Sequence, residues 1–296
     1  MRRNVILRTV ILLEARSAQR DRHHDRVEAL LGTYLRRRAS GAPHPVIDFL
    51  FTYYNLTPGQ LRRWHPGYGV TLYGPGAEEY ARRRGYRRTE SGVSVDHRFL
   101  AKRRETIAYV ARLMEATASR PASLGCFGLH EWAMVYRADP GEIRHGTPLR
   151  LGREGTDAVV ESLPLRCTHF DAFRFFTAPA RSRNAAELTR ATQVATEQPG
   201  CLHAGMDLYK FTAKLLPLVS SDMLWSAFEL AYEARSLDMR ASPYDLSAYG
   251  YQPVRIDTPG GRAEYAREQS ELAVRAAQVR CSLLGWCRGI LSSDGG

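Results

Sequence analysis

Nine histidines are spread through 296 residues, and three of them stand beside an acid in apolar, aromatic-rich surroundings. His130 adjoins Glu131 in CFGLHEWAMVYR; His169 precedes Asp171 in LRCTHFDAFRFF, with Glu161 upstream; His203 lies four residues before Asp207 in EQPGCLHAGMDLYKFTAKLL. Neutral imidazoles and carboxylates turned from several helices toward one core form a non-haem iron site that leaves positions open for oxygen or substrate. The candidate metal ligands are therefore His203 and Asp207, then His169 and Glu131, then His130, Asp171 and Glu161. The chemistry expected of them is O2 activation by one or two Fe(II) ions, then hydrogen abstraction from a small substrate. Arg166, Arg174 and Arg137, near these clusters in the chain, are the candidate bidentate grip for a substrate carboxylate. A bland reading competes with this one: Asp207 pairs with Lys210 or Lys214, and His203 makes an ordinary core hydrogen bond.

The element that must position the last pair is a helix after Pro199 that ends before Pro217. On it His203 and Asp207 share a face with Lys210 and Lys214, beside an apolar stripe of Leu202, Met206, Tyr209, Ala213 and Leu216. Adjacent His130 and Glu131 diverge by about 100° on a helix, so one of the two at most turns toward a shared site. The periodicity predicts further helices over Ala18–Arg38, Val46–Tyr54, Phe99–Ser119, Asn184–Glu197, Asp222–Arg240 and Gly260–Leu291. A short helix is expected after Thr57, another starting at Pro121 and carrying Leu129 to Tyr136, and a helix N-terminus at Ser242. Thr156–Leu163 has β-like residues, and Leu165–Phe176 fits either a helix capped by Thr168 or an alternating strand. The fold class is all-α: a multi-helix bundle over 105–291, an Arg-rich helical region over 1–104 in the same or a separate domain, and a disordered tail over 292–296.

Composition narrows the function. Hydrophobic content of 44% with 25% charged residues is that of a soluble globular protein. The apolar run Val5–Leu13 is too short to span a bilayer and carries no cleavage signature, so neither a membrane partner nor a signal peptide is expected. Five cysteines without a Cys-x-x-Cys pair argue against a disulfide framework or thiolate zinc site and for a reducing cytoplasm. The net charge of +11 sits in the first third: residues 1–104 hold 21 basic and 9 acidic side chains, a net of +12. All but three of the 42 basic residues are arginine, which is equally the mark of GC-rich coding. His23, His24 and His97 read as solvated, and His44, His65 and His145 as loop hydrogen-bonders. No Walker loop, dinucleotide fingerprint or nucleophile elbow is present.

Two resemblances add to this. The order Glu131, Glu161 with His169, then His203-x-x-x-Asp207 is similar to the ligand order of the haem-oxygenase-like di-iron oxidases, with Lys210 where their motif ends in histidine. That likeness implies a seven-helix bundle acting with O2 on small amino-acid-like or fatty substrates. The stretches HPVIDFLFTYYNLTPGQLRRWHPG, CFGLHEWAMVYR, LRCTHFDAFRFFT, EQPGCLHAGMDLYKFTAKL and LDMRASPYDLSAYG resemble a group of actinobacterial proteins labelled 3-methyladenine DNA glycosylase. This second likeness implies hydrolysis of an alkylated base's glycosidic bond after base flipping, with 1–104 as the DNA face. A non-catalytic nucleic-acid-binding protein is the third class. The iron-dependent oxidase leads because the His/acid clusters lie outside the charged third and need no polyanion to explain them.

Overall fold

A computed structural model describes residues 9–12, 17–139, 141 and 147–293, the side chains of 9–12 excepted. The first third runs β1 (Thr9–Leu12), α1 (Ser17–Ala39), α2 (Asp48–Thr52), α3 (Pro58–Arg62), β2 (Val70–Tyr73), α4 (Ala77–Ala81), β3 (Tyr86–Thr89), β4 (Gly92–Val95) and α5 (His97–Ala101). The remainder is α6 (Arg104–Ala118), α7 (Leu129–Ala133), α8 (Gly152–Ser162), α9 (Phe170–Phe173), α10 (Ala178–Arg181), α11 (Gln193–Thr196), α12 (Leu202–Lys214), α13 (Ser221–Arg240) and α14 (Pro259–Ser293). The chain is mostly helical, as the periodicity predicts.

Helix α12 is the centre. Ten of its thirteen residues are buried, because α13 and α14 pack along it while α14 also packs on α6. A helix enclosed on nearly every side has to be apolar nearly all round, and the exceptions on α12 are the residues of chemical interest. Helix α14 packs closely at Gly205, where a Cβ would sit in ordinary contact, 3.6 Å from the Cβ of Ala276. Around α12, Phe228 of α13 meets the rings of Tyr209, Trp225 and Phe51 at centroid separations of 5.2, 5.6 and 5.8 Å, so one aromatic cluster joins the bundle to the first third.

The basic third is not purely helical. It holds a four-stranded sheet in the order β1-β2-β4-β3, with β1 parallel to β2 and the other pairs antiparallel. The strands have four residues each, too short for alternation to stand out from the glycine-rich sequence between them. Gly92 closes the β3–β4 hairpin at φ 136°, where a Cβ would lie 2.2 Å from the carbonyl oxygen of Leu72. This third docks on the chain ahead of α13: Tyr68 N–H donates to Leu218 O at 2.7 Å and Ser221 N–H to His65 O at 2.9 Å. A single hydrophobic cluster runs through both parts.

Several expected boundaries shift. Thr156–Leu163 is helical within α8, its Val159 and Val160 buried, since packing on α7 overrides β-propensity. Phe99–Ser119 breaks into α5 and α6, and no helix starts at Pro121: Phe127 and Gly128, at φ 49° and 71°, turn the chain into α7. Within Asn184–Glu197 only α11 is helical, α12 begins at Leu202, and Ser242 leads only to a 3-10 turn, Ser247–Tyr249. Helix α14 runs through Ser293, and residues 294–296, like most of Val5–Leu13, lie outside the described residues. His23 is fully buried and bonds Leu61 O at 2.8 Å, a correction to its reading as solvated; His145 lies outside the described residues.

Phe228→Ala should remove the shared ring of this cluster and cost about 3–5 kcal/mol. Chemical denaturation should show one transition shifted as a whole; a second, unshifted transition would show that the two parts unfold separately.

Candidate metal centre

The bundle interior at the N-terminal half of α12 contains two groups of potential ligands. His130, His203 and Asp238 form one and His169, Glu197 and Asp207 the other, all six buried, and within each group the ligand atoms lie within 4.8 Å of one another. The groups abut through His203, whose ring centroid is 4.5 Å from that of His130 and 5.4 Å from that of His169. Five segments supply them: α7 gives His130, the extended residue before α9 gives His169, the residue after α11 gives Glu197, α12 gives His203 and Asp207, and α13 gives Asp238.

Every carboxylate here is held by a cation or an imidazole. Asp238 Oδ1 lies 2.7 Å from His130 Nε2, and its Oδ2 accepts from Arg235 at 3.0 Å. Arg235, itself buried, also donates to Glu131 at 2.7 Å and lies over the Phe49 ring. Asp207 Oδ2 accepts from Lys210 at 2.7 Å and lies 3.3 Å from His169 Nε2, which is 3.3 Å from Glu197 Oε1 as well. Lys210 reaches Asp171 at 2.6 Å, and Arg190 closes on the same carboxylate. On the far side of His130, Nδ1 meets the thiol of Cys126 at 3.3 Å.

The electrostatics separate the three imidazoles. Burial alone would depress His130, but Asp238, helped by Cys126, raises its pKa well above the ordinary value. His169 is likewise pushed down by burial and lifted further by Glu197 and Asp207, so it ends raised. His203 is driven well below the usual range by burial and then by His130, so it is neutral. Burial pushes Asp207 up, yet Lys210 and His169 outweigh it and hold it low, while for Asp238 His130 does the same. Glu197 is raised by burial despite His169.

Asp207 does pair with Lys210, while the His203 ring stacks on His169 and meets His130 edge-on. The other expected ligands divide. His130 and His169 join the groups, and His203 and Asp207, expected to share one ion, fall into different ones. Glu131 and Asp171 are engaged by Arg235 and by Lys210 with Arg190. Glu161 is at the surface, bonded to Tyr136 and Arg137, and this takes Arg137 away from the centre too. Arg174 stacks on Phe175 and faces Asp171, half exposed. Arg166 is exposed and runs beside Gly125, next to Cys126. Glu197 and Asp238 were not among the expected ligands. A signal for Asp238 exists in the sequence: Arg235 and Asp238 interrupt the apolar Ala231, Ala234, Leu237 face of α13, where a charge must find a partner.

Asp207 and Asp238 titrate lower in the folded protein than in an unfolded chain, where aspartate titrates near about 3.9. Their stabilisation is therefore present above about pH 4 and is lost as pH falls toward the folded values. Asp238→Asn, which leaves Arg235 and His130 short of a buried counter-charge, should cost about 3–5 kcal/mol at pH 7. In denaturation of the metal-free proteins the gap from wild type should narrow at pH 3, and a gap independent of pH would show that the carboxylate's charge is not what stabilises. No protein-family model, curated protein or solved structure matches the chain, so its function is read from this buried cluster.

Proposed function

We propose that the protein is a non-haem iron enzyme with Fe(II) held by His130, His203 and Asp238, acting with O2 on a small carboxylate-bearing substrate. The observation that carries this reading is the meeting of the two ligand groups: His203, held neutral, stands between His130 and His169, and Nδ1 of His169 is buried without a hydrogen-bond partner among the described residues. A buried polar group without a partner is costly, and a neutral imidazole set among carboxylates suits a cation. Two imidazoles and one carboxylate are the donor set of non-haem iron oxygenases.

Charge supports one ion rather than two. Around the centre five carboxylates, Glu131, Asp171, Glu197, Asp207 and Asp238, face four cations, Arg174, Arg190, Lys210 and Arg235. In the metal-free protein His130 and His169 add two protons to this balance, and one divalent ion would replace both. Bound iron would supply O2 activation and hydrogen abstraction. The chain's own part is to hold the centre dry and to move protons. The Cys126 contact fixes the tautomer and ring angle of His130 from its outer side. His169, between Glu197 and Asp207 and stacked on His203, can accept a proton next to the ligand set. Arg166, exposed beside Gly125 and with no ion pair among the described residues, is the side chain best placed to receive a substrate carboxylate. Glycosylase chemistry gains no comparable observation.

Protein loaded anaerobically with Fe(II) should hold about one ion per chain. Loading at pH 7 in weak buffer should release about two protons per ion. His203→Ala should lose most of the iron, whereas Glu161→Ala should keep it. Wild-type protein that takes up no iron, with His203→Ala indistinguishable from it, would overturn the proposal.

A further inference from the structure

The chemistry proposed above makes no use of the first third of the chain, which nevertheless carries the molecule's excess positive charge. Much of that charge is neutralised locally. Arg83 pairs with Glu79, Arg87 with Asp96, Arg88 with Glu78, Arg38 with Asp48 and Arg26 with Asp222. Of the cations left over, four gather in one place. Arg84, Arg98, Lys102 and Arg103, none with a carboxylate within 4 Å among the described residues, line a single cavity of about 490 Å³ with Gly85, Tyr86, Asp96 and Phe99. The one acid in that wall is already engaged: Asp96 caps α5 by accepting the Arg98 N–H at 2.9 Å, and it faces Arg87 and His97.

The cavity is built rather than incidental. Its floor is the turn between α4 and β3, where Gly85 takes φ 88° and sits so close to the rings of Pro217 and Phe99 that a Cβ would meet them at 3.0 and 3.3 Å. The Gly85 carbonyl is tied to the far wall by the Asp96 N–H at 2.8 Å. Arg98 lies in α5 and Lys102 directly after its end, four residues apart, and Arg103 lies over the Phe99 ring. Four like charges around one concavity repel one another, and a polyanion would relieve that repulsion. Its size matches a small-molecule pocket.

We infer that this cavity is a binding site for a small ligand bearing two or more phosphates, a nucleotide or a pyrophosphate compound. Guanidinium groups match phosphate oxygens in pairs, and a multiply charged phosphate matches four cations better than a single carboxylate does. The neighbouring Arg83 and Arg88 favour a local ligand over a nucleic-acid strand, because Glu79 and Glu78 already pair with them and interrupt any continuous track of phosphate contacts.

The test uses the full chain, with inorganic pyrophosphate and ATP as probes in calorimetry at about 0.15 M salt, and a duplex DNA of about 20 base pairs as control. Arg98→Glu with Lys102→Glu changes two exposed side chains, and circular dichroism checks that the fold is kept. Pyrophosphate and ATP should bind wild type, weaken about tenfold or more in the double variant, and bind His203→Ala as they bind wild type. Equal binding to wild type and double variant would overturn the proposal, as would no binding of either phosphate probe. Duplex binding that the double variant loses, without pyrophosphate binding, would assign the cavity to a nucleic-acid face instead and overturn it as well.

Discussion

The structure depends on pairing charge inside the bundle. Taking a carboxylate out of water costs several kcal/mol, and this protein buries Glu131, Asp171, Glu197, Asp207 and Asp238 around one helix. Arg235 and Lys210 make that possible, each bridging two carboxylates: Arg235 joins Glu131 of α7 to Asp238 of α13, and Lys210 joins Asp171 of α9 to Asp207 of α12. These bridges fix how the surrounding helices pack on α12. An apolar substitute could hold the same helices together, but it would not leave histidines facing one another across the gap.

The same pairing sets the character of the three imidazoles. Burial and then the positive charge of His130 keep His203 neutral, while Asp238, Glu197 and Asp207 hold protons on its two neighbours. Each group brings imidazole and carboxylate atoms close enough together that it could hold a metal ion. The surrounding aromatic shell of Tyr54, Tyr209 and Phe228 keeps the environment of low polarity, which strengthens each of these interactions.

The first third is governed by a different constraint. Its short strands and helices bury one face against the loop before α13 and expose the other, so its arginines stay solvated and several, such as Arg83, Arg87 and Arg88, find a surface acid. The cluster around Gly85 follows from local geometry: a glycine turn pressed on Pro217 and Phe99 brings cations from two segments to one concavity. Composition locates the positive charge in this third but does not distinguish paired arginines from unpaired ones.

By itself the sequence determined the helical class, the buried helix carrying His203 and Asp207, and the involvement of His130 and His169, because i, i+4 spacing and apolar surroundings are properties of neighbouring residues. It also contained the pairing of Asp207 with Lys210, three residues apart on that helix. Only the tertiary structure decided that His203 and Asp207 belong to different groups. Each takes its partners from segments 34 or more residues away or from the turn before α12, and no periodicity within one helix reports on those. Asp238 joined the centre and Glu161 left it for the same reason: whether an acid on a helix faces the core or the solvent depends on which helices pack against it. The four short strands were decided the same way, by pairing between segments whose own four residues carry too little pattern to reveal it.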